Sequence, residues 1–203
     1  MAGTQGRVWG GLTAQEREAR RRAQILETGL ELFASKGWTK VTVLEICRGA
    51  RLSQRYFYEQ FPSREDLFIA IAGGIGRDVE RIVRTESAAP GRSAEERVAG
   101  VLGGLADYFI ADPRKVRVAL VESFATEEFR VHRAGVLASL TELASKLMGS
   151  LGDASPRSRD LSALIISGGI AESLIRSVTG ETSWTRDELV QHLTRLYTAA
   201  ARL

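Results

Sequence analysis

Residues 25–68 read ILETGLELFASKGWTKVTVLEICRGARLSQRYFYEQFPSREDLF. Ile25, Leu26, Gly29, Leu32 and Phe33 fall at i, i+1, i+4, i+7 and i+8, the stripe of an amphipathic helix, and Gly37 supplies its C-terminal stop. Thr42-Val-Leu-Glu45 is a capping box, in which each side chain satisfies an orphan backbone donor of the other. The apolar row it opens, Val43, Ile46, Cys47 and Ala50, is too short to be stable alone and must pack on the first helix. Gly49-Ala50-Arg51-Leu52 then turns the chain into a third helix, Gln54 to Gln60, opened by Ser53 and closed by Pro62-Ser63. Two short helices joined by a tight turn against a longer one make a helix-turn-helix.

Outward from this stretch the same signals recur. Upstream, Thr13 and Glu16 form another capping box, and residues 1–12 are expected to be a disordered arm. Downstream, Leu67, Ile71, Ile75, Val79 and Ile82 share one face of a fourth helix, Ser63 to about Glu86, roughly 36 Å long at about 1.5 Å per residue. Ala88-Ala89-Pro90-Gly91 breaks it. Ser93 and Glu96 form a further capping box, and Asp112-Pro113 places a capping side chain before a proline. Helices are predicted over 94–110, 113–125 and 127–149, then a linker from Gly149 to Ser155. Ser155-Pro156 opens a helix to about Val178, and Thr185 with Glu188 opens the last. The expectation is an all-α chain of about nine helices: a helix-turn-helix DNA-binding domain at 13–62 and a helical body at 63–203.

Composition narrows the function. With 44 % apolar residues in 203, the chain can bury a real core. Cys47 has no partner for a disulfide, and with only His132 and His192 beside it no zinc spacing is present, so neither a metal nor another cofactor is expected. No apolar run approaches the roughly 18 residues of a membrane span, which predicts a cytoplasmic protein without a membrane partner. Residues 1–68 hold 11 Lys and Arg against 8 Asp and Glu, whereas residues 69–203 hold 17 of each, so the whole excess of +3 lies at the front. No nucleophile elbow, Walker loop or dinucleotide loop occurs, and the carboxylates fall at scattered surface or capping positions, which argues against an enzyme. Gly73-Gly74 and Gly168-Gly169 lie inside helices, where close packing accounts for them better than phosphate binding.

Ile25-Leu26, Glu31-Leu32-Phe33-Ala34, Lys36-Gly37-Trp38, Val41-Thr42-Val43, Glu45-Ile46, Leu52-Ser53, Phe57-Tyr58, Gln60-Phe61 and Glu65-Asp66-Leu67-Phe68 together resemble the N-terminal signature of the TetR/AcrR family of transcriptional regulators. The resemblance implies a three-helix head, a connecting fourth helix and a body that dimerises and holds an effector. The function implied is a repressor on double-stranded operator DNA, released by a small, mainly apolar ligand. The alternative is a helical ligand-binding or interaction protein that has lost operator binding. Two positions depart from the family: Arg51 stands where the turn usually has Gly, at a cost of about 1 kcal/mol in a left-handed conformation, and Tyr56 stands where a small hydroxyl residue is common.

The N-terminal residues of a recognition helix face base edges, so Gln54, Arg55 and Tyr56 are the base-reading candidates. Arg55 suits guanine O6 and N7, Gln54 suits adenine, and Tyr56 suits a thymine methyl or a phosphate. The resemblance puts phosphate anchoring on Tyr58, Thr42 and Arg64; Lys40, Arg48, Arg51 and Ser53 lie close to them in sequence. It also places a pocket among the fourth to eighth helices, with Val79, Leu102, Leu105, Phe109, Val118, Phe124, Leu137 and Ile170 as walls and Glu122, His132, Glu172 and Arg176 as polar anchors. Stripes of Leu161, Leu164, Ile165 and Gly168 on one helix and Leu189, Leu193, Leu196 and Ala200 on the next predict an isologous four-helix seam in a homodimer.

Overall fold

A computed structural model describes residues 13–181 and 184–203, so the expected arm at 1–12 lies outside the described residues. The described chain is helical: α1 Ala14–Lys36, α2 Val43–Ala50, α3 Gln54–Gln60, α4 Arg64–Ser87, α5 Ala94–Ala111, α6 Arg114–Val116, α7 Glu127–Met148, α8 Pro156–Thr179 and α9 Arg186–Ala200. It divides into two compact units, one ending at Ile71 and one running from Ala72 to Leu203, and α4 supplies residues to both. The first unit takes in two turns of helix past Pro62, because Leu67, Phe68 and Ile71 are buried in its core.

Helix starts follow the capping chemistry. Thr13, Thr42, Ser93 and Thr185 each close a reciprocal box with the Glu three residues on. Ser53 differs: it sits at the N-cap of α3 without a side-chain capping bond. Gly37 ends α1 at φ 82°, a conformation a side chain would strain, while its N–H bonds to the Phe33 carbonyl at 3.1 Å. Arg51 adopts the left-handed conformation expected of the turn, φ 55° and ψ 40°. It is the one non-glycine with positive φ among the described residues.

Inside the first unit, the rings of Phe33, Trp38 and Phe68 meet pairwise at 5.4 Å between centroids. Ile25, Val41, Ile46, Phe57 and Leu67 are fully buried around them, each contributing about 1.5–3 kcal/mol of hydrophobic stabilisation. The buried stripe of α1 is Ile25, Gly29, Leu30, Phe33 and Ala34, with Leu26 and Leu32 at its half-buried edges.

The second unit is built on a core that joins Val98, Val101 and Leu102 of α5, Leu147 and Met148 of α7, Ala163 of α8, and Leu193, Tyr197 and Ala200 of α9. Arg186 clamps α9 to α5 through a two-pronged bond to Asp107, 2.5 and 2.9 Å. The C-terminal end tucks under the α7–α8 loop: Ala154 N–H bonds to the Ala201 carbonyl at 3.2 Å, and Gly152 lies so near that carbonyl that a Cβ would collide with it.

Three expectations for this unit need correction. The helix expected over 113–125 is broken into α6, a π-helical stretch Arg117–Val121 and a 3-10 turn Glu122–Phe124. Widening the helix disturbs the carbonyl ladder, and the Ser123 hydroxyl takes the Ala119 carbonyl at 2.8 Å. On α9, Leu193 and Ala200 are buried in the unit's own core, not exposed for a partner. The core face is the adjoining stripe Val190, Leu193, Thr194, Tyr197 and Ala201, so the predicted row straddles its edge and only Leu196 is well exposed. Finally, α8 has an 18-residue window of mean hydropathy 1.4, apolar and long enough to cross a membrane by composition, although small serines and glycines interrupt any uniform apolar run. Only 11 % of that window is buried.

Candidate nucleic-acid interface

The head presents one polar and basic surface around the α2–α3 turn. Phe57 and Phe61 point inward and are essentially inaccessible, which leaves the rest of α3 outward: Gln54, Arg55, Tyr56 and Tyr58 are all exposed. The Arg55 side chain is 85 % accessible, and its Nε donates to Glu59 Oε1 at 2.9 Å, one turn further on. An exposed i, i+4 pair of this kind is worth only about 0.3–0.5 kcal/mol, so a base edge can compete for the guanidinium. Tyr56 is steadied by the Arg21 guanidinium, 4.7 Å from its ring centroid. Sequence reasoning misses that contact because the two residues meet only once α1 and α3 pack. Tyr58 sets its ring edge-on to Phe57 at 5.3 Å and leaves its hydroxyl at the surface.

The basic and hydroxyl candidates separate into two groups. Lys40, Arg48 and Arg51 are exposed and have no acidic partner among the described residues. Ser53 is exposed with its hydroxyl outside any cap. Thr42 and Arg64 are already engaged. The Thr42 N–H and hydroxyl donate to Glu45 Oε2 at 2.9 and 3.0 Å, while Thr42 Oγ1 accepts from the Glu45 N–H at 3.3 Å. Glu45 also receives Lys36 Nζ at 2.8 Å; that bond first, and the Thr42 bonds after it, hold the Glu45 carboxyl down at about 2. Arg64 turns inward: its guanidinium stacks 3.8 Å from the Trp38 centroid and donates to the Trp38 and Val41 carbonyls. The residue expected to touch phosphate thus spends its donors tying α4 to the turn before α2.

Residues 25–71 match the family model described as bacterial regulatory proteins, tetR family. Over these residues the chain is similar to that family. The HTH-type transcriptional regulator YuxN of Bacillus subtilis (strain 168) is 43 % identical over 47 residues, 23 % of this chain and 16 % of that protein. The HTH-type transcriptional repressor NicS of Pseudomonas putida is 28 % identical over 116 residues, 56 % of this chain and 52 % of that protein. The chain therefore spans about half or less of the curated relatives it matches. Among solved structures, the regulator FadR of Bacillus subtilis in complex with stearoyl-CoA shares the fold, with a TM-score of 0.74, 19 % identity, and coverage of 88 % of this chain and 98 % of that one.

In the second unit, the predicted pocket residues do not form one set. Val79, Leu102, Phe109 and Val118 are buried, while Leu105, Leu137 and Ile170 are half-buried. Phe124 is 49 % exposed, with Arg133 stacked 4.4 Å from its centroid. Glu172 and Arg176 lie on the outer face of α8, paired with each other at 2.8 Å, with Arg176 also reaching Glu181 at 3.2 Å; they are surface ions rather than pocket anchors. Glu122 is half-buried. His132 differs from these, because its Nε2 is buried without a hydrogen-bond partner, against Gly73 of α4. On the same outer face of α8, Leu161, Leu164 and Ile165 are 59, 59 and 64 % exposed, and Gly168 and Gly169 have open space beside them instead of a packed helix.

Proposed function

We propose that the chain is a homodimeric, sequence-specific DNA-binding regulator, a repressor released from its operator by a small, mainly apolar ligand, and not an enzyme. The observation that carries this reading is the division of α3: Phe57 is locked into the head while Gln54, Arg55, Tyr56 and Tyr58 stand in solvent beside three unpaired cations, Lys40, Arg48 and Arg51. Gln54, Arg55 and Tyr56 would read bases; Tyr58, Ser53 and the three cations would hold phosphates. Thr42 would reach phosphate through the helix end it caps, and Arg64 would act indirectly by fixing α4.

A dimer is the natural cover for the exposed apolar face of α8, with Leu161, Leu164, Ile165 and Gly168 at its centre, Leu196 of α9 beside them and Leu189 at the margin. The effector reading rests on the unpartnered His132 Nε2 and on the fold shared with a regulator solved in complex with stearoyl-CoA, with Val79, Leu102, Phe109 and Val118 as apolar side chains buried in the same unit. Since α4 supplies residues to both units, it is the element through which ligand occupancy would reach the head.

Ligand and operator must then weaken each other by the same factor, about 5–150-fold for a coupling of about 1–3 kcal/mol. Calorimetry of a screened ligand, with and without an operator duplex selected from a random pool, measures it. Weaker ligand binding in the presence of operator supports release; identical affinities, or tighter binding with operator, reject it.

A further inference from the structure

A cleft of about 410 Å³ opens in the second unit where the end of α4, the start of α5 and the end of α7 come together. That volume falls in the range of about 300–1,000 Å³ usual for small-molecule sites. Its apolar walls are Val83, Leu143 and Leu147, of which Val83 and Leu147 are each 8 % exposed and belong to the unit's core. Its charged lining is all cationic: Arg84, Arg97 and Lys146. None of the residues assigned above to the effector pocket lines it.

The three cations are not equivalent. Arg84 pairs with Glu80 at 3.7 Å and Lys146 with Glu142 at 2.6 Å, both exposed one-turn pairs of little energetic weight. Arg97 has no acidic partner among the described residues, and its Nε is buried without an acceptor. A buried guanidinium Nε–H without an acceptor is costly, and a bound oxyanion removes the cost by accepting from Nε and a terminal nitrogen in parallel. A neutral apolar ligand would fill the walls and leave Arg97 as it is. A fully polar anion would leave Val83, Leu143 and Leu147 unused.

We propose that this cleft binds a single-chain amphiphilic anion, an alkyl carboxylate or alkyl phosphate, with its head on Arg97 between Arg84 and Lys146 and its chain along Val83, Leu143 and Leu147. Calorimetry of the full chain with decanoate, decyl phosphate and decanol tests it. At least one of the two anions binds, which also decides between the head groups, and decanol binds more than about tenfold more weakly. Arg97→Gln weakens the anion about tenfold or more with the thermal midpoint retained, whereas Arg97→Lys, which keeps the charge but loses the paired donors, weakens it less than Arg97→Gln does. If Arg97→Gln loses its thermal transition, the exposed pair Arg84→Gln, Lys146→Gln is read by the same criterion. The proposal is overturned if neither anion binds, if decanol binds as tightly, or if the folded charge-removing variant titrates like the parent. In that last case the ligand occupies another site, and the effector reading above is untouched.

Discussion

The two units leave different kinds of side chain in water. In the unit ending at Ile71 most apolar side chains close on one another, and the α2–α3 surface left over is made mainly of Gln54, Arg55, Tyr56, Tyr58 and unpaired cations, with Leu44 of α2 the exposed aliphatic among them. In the unit beginning at Ala72 the largest exposed groups on α8 are Leu161, Leu164 and Ile165, and one helix is broken by a π-helical stretch. A finished core with a polar face is the mark of an element that meets a hydrated, charged partner. An unfinished apolar face is the mark of one that meets another protein surface.

The largest effects should come from breaking the closed core of the head. Phe33→Ala removes the ring shared by Trp38 and Phe68 and is expected to cost about 3–5 kcal/mol, enough to unfold the first unit while the second keeps its helices. Amide exchange resolved by segment checks it; a loss spread evenly over both units would erase the distinction drawn between them.

Of similar size, but informative by contrast, are two arginine substitutions in the second unit. Leu193→Arg buries a charge in the core and should destabilise the fold by about 3–5 kcal/mol. Leu164→Arg sits in solvent and should leave the fold intact while converting a dimer to a 22.2 kDa monomer in light scattering. Dimers that survive Leu164→Arg would show that α8 is not the seam.

Why one unit was more legible in the sequence than the other follows from these contrasts. In the head, start and stop are local chemistry: capping boxes at Thr13 and Thr42, Gly37 at positive φ and the left-handed Arg51 are all within a few residues of what they cause. In the second unit the deciding contacts are distant in sequence. The face of α9 that is buried depends on α5 supplying Asp107 to Arg186 and on Tyr197 filling the core, so a stripe offset by a fraction of a turn looked equally apolar. The π-helical stretch at Arg117–Val121 has no cap or breaker to announce it. Within the candidate site, the exposure of Gln54, Arg55, Tyr56 and Tyr58 follows from the helix period, but the inward turn of Arg64 needs the carbonyls of Trp38 and Val41, set by a separate element. Arg97 carries no signal in the sequence, because its missing acceptor exists only in three dimensions.

Smaller effects sharpen the account of the head. Arg51→Gly relieves a left-handed side chain and should stabilise the first unit by about 0.5–1 kcal/mol in chemical denaturation, without changing the turn. A destabilisation would mean that the Arg51 side chain contributes more than its backbone costs. The smallest is a pH effect. Lys36 and the Thr42 cap hold the folded Glu45 carboxyl at about 2, below its ordinary value of 4.5, so this contribution is complete above about 4.5 and is lost as pH falls towards 2. Denaturation midpoints at pH 6, 4 and 3 should therefore fall more steeply for the parent than for Glu45→Gln; parallel curves would remove Glu45 from the explanation.

The most direct test of the central claim, that the exposed face of α3 reads DNA sequence, is selection from a randomised duplex pool followed by titration of the parent and Arg55→Ala on the selected and scrambled sites. The account predicts a two-fold symmetric site with half-sites about one helical turn, or a multiple of it, apart. Arg55→Ala should cost about 1–3 kcal/mol on that site and little on the scrambled one, because a bidentate base contact discriminates where a phosphate contact does not. A pool that stays random, or equal losses on both duplexes, would contradict it.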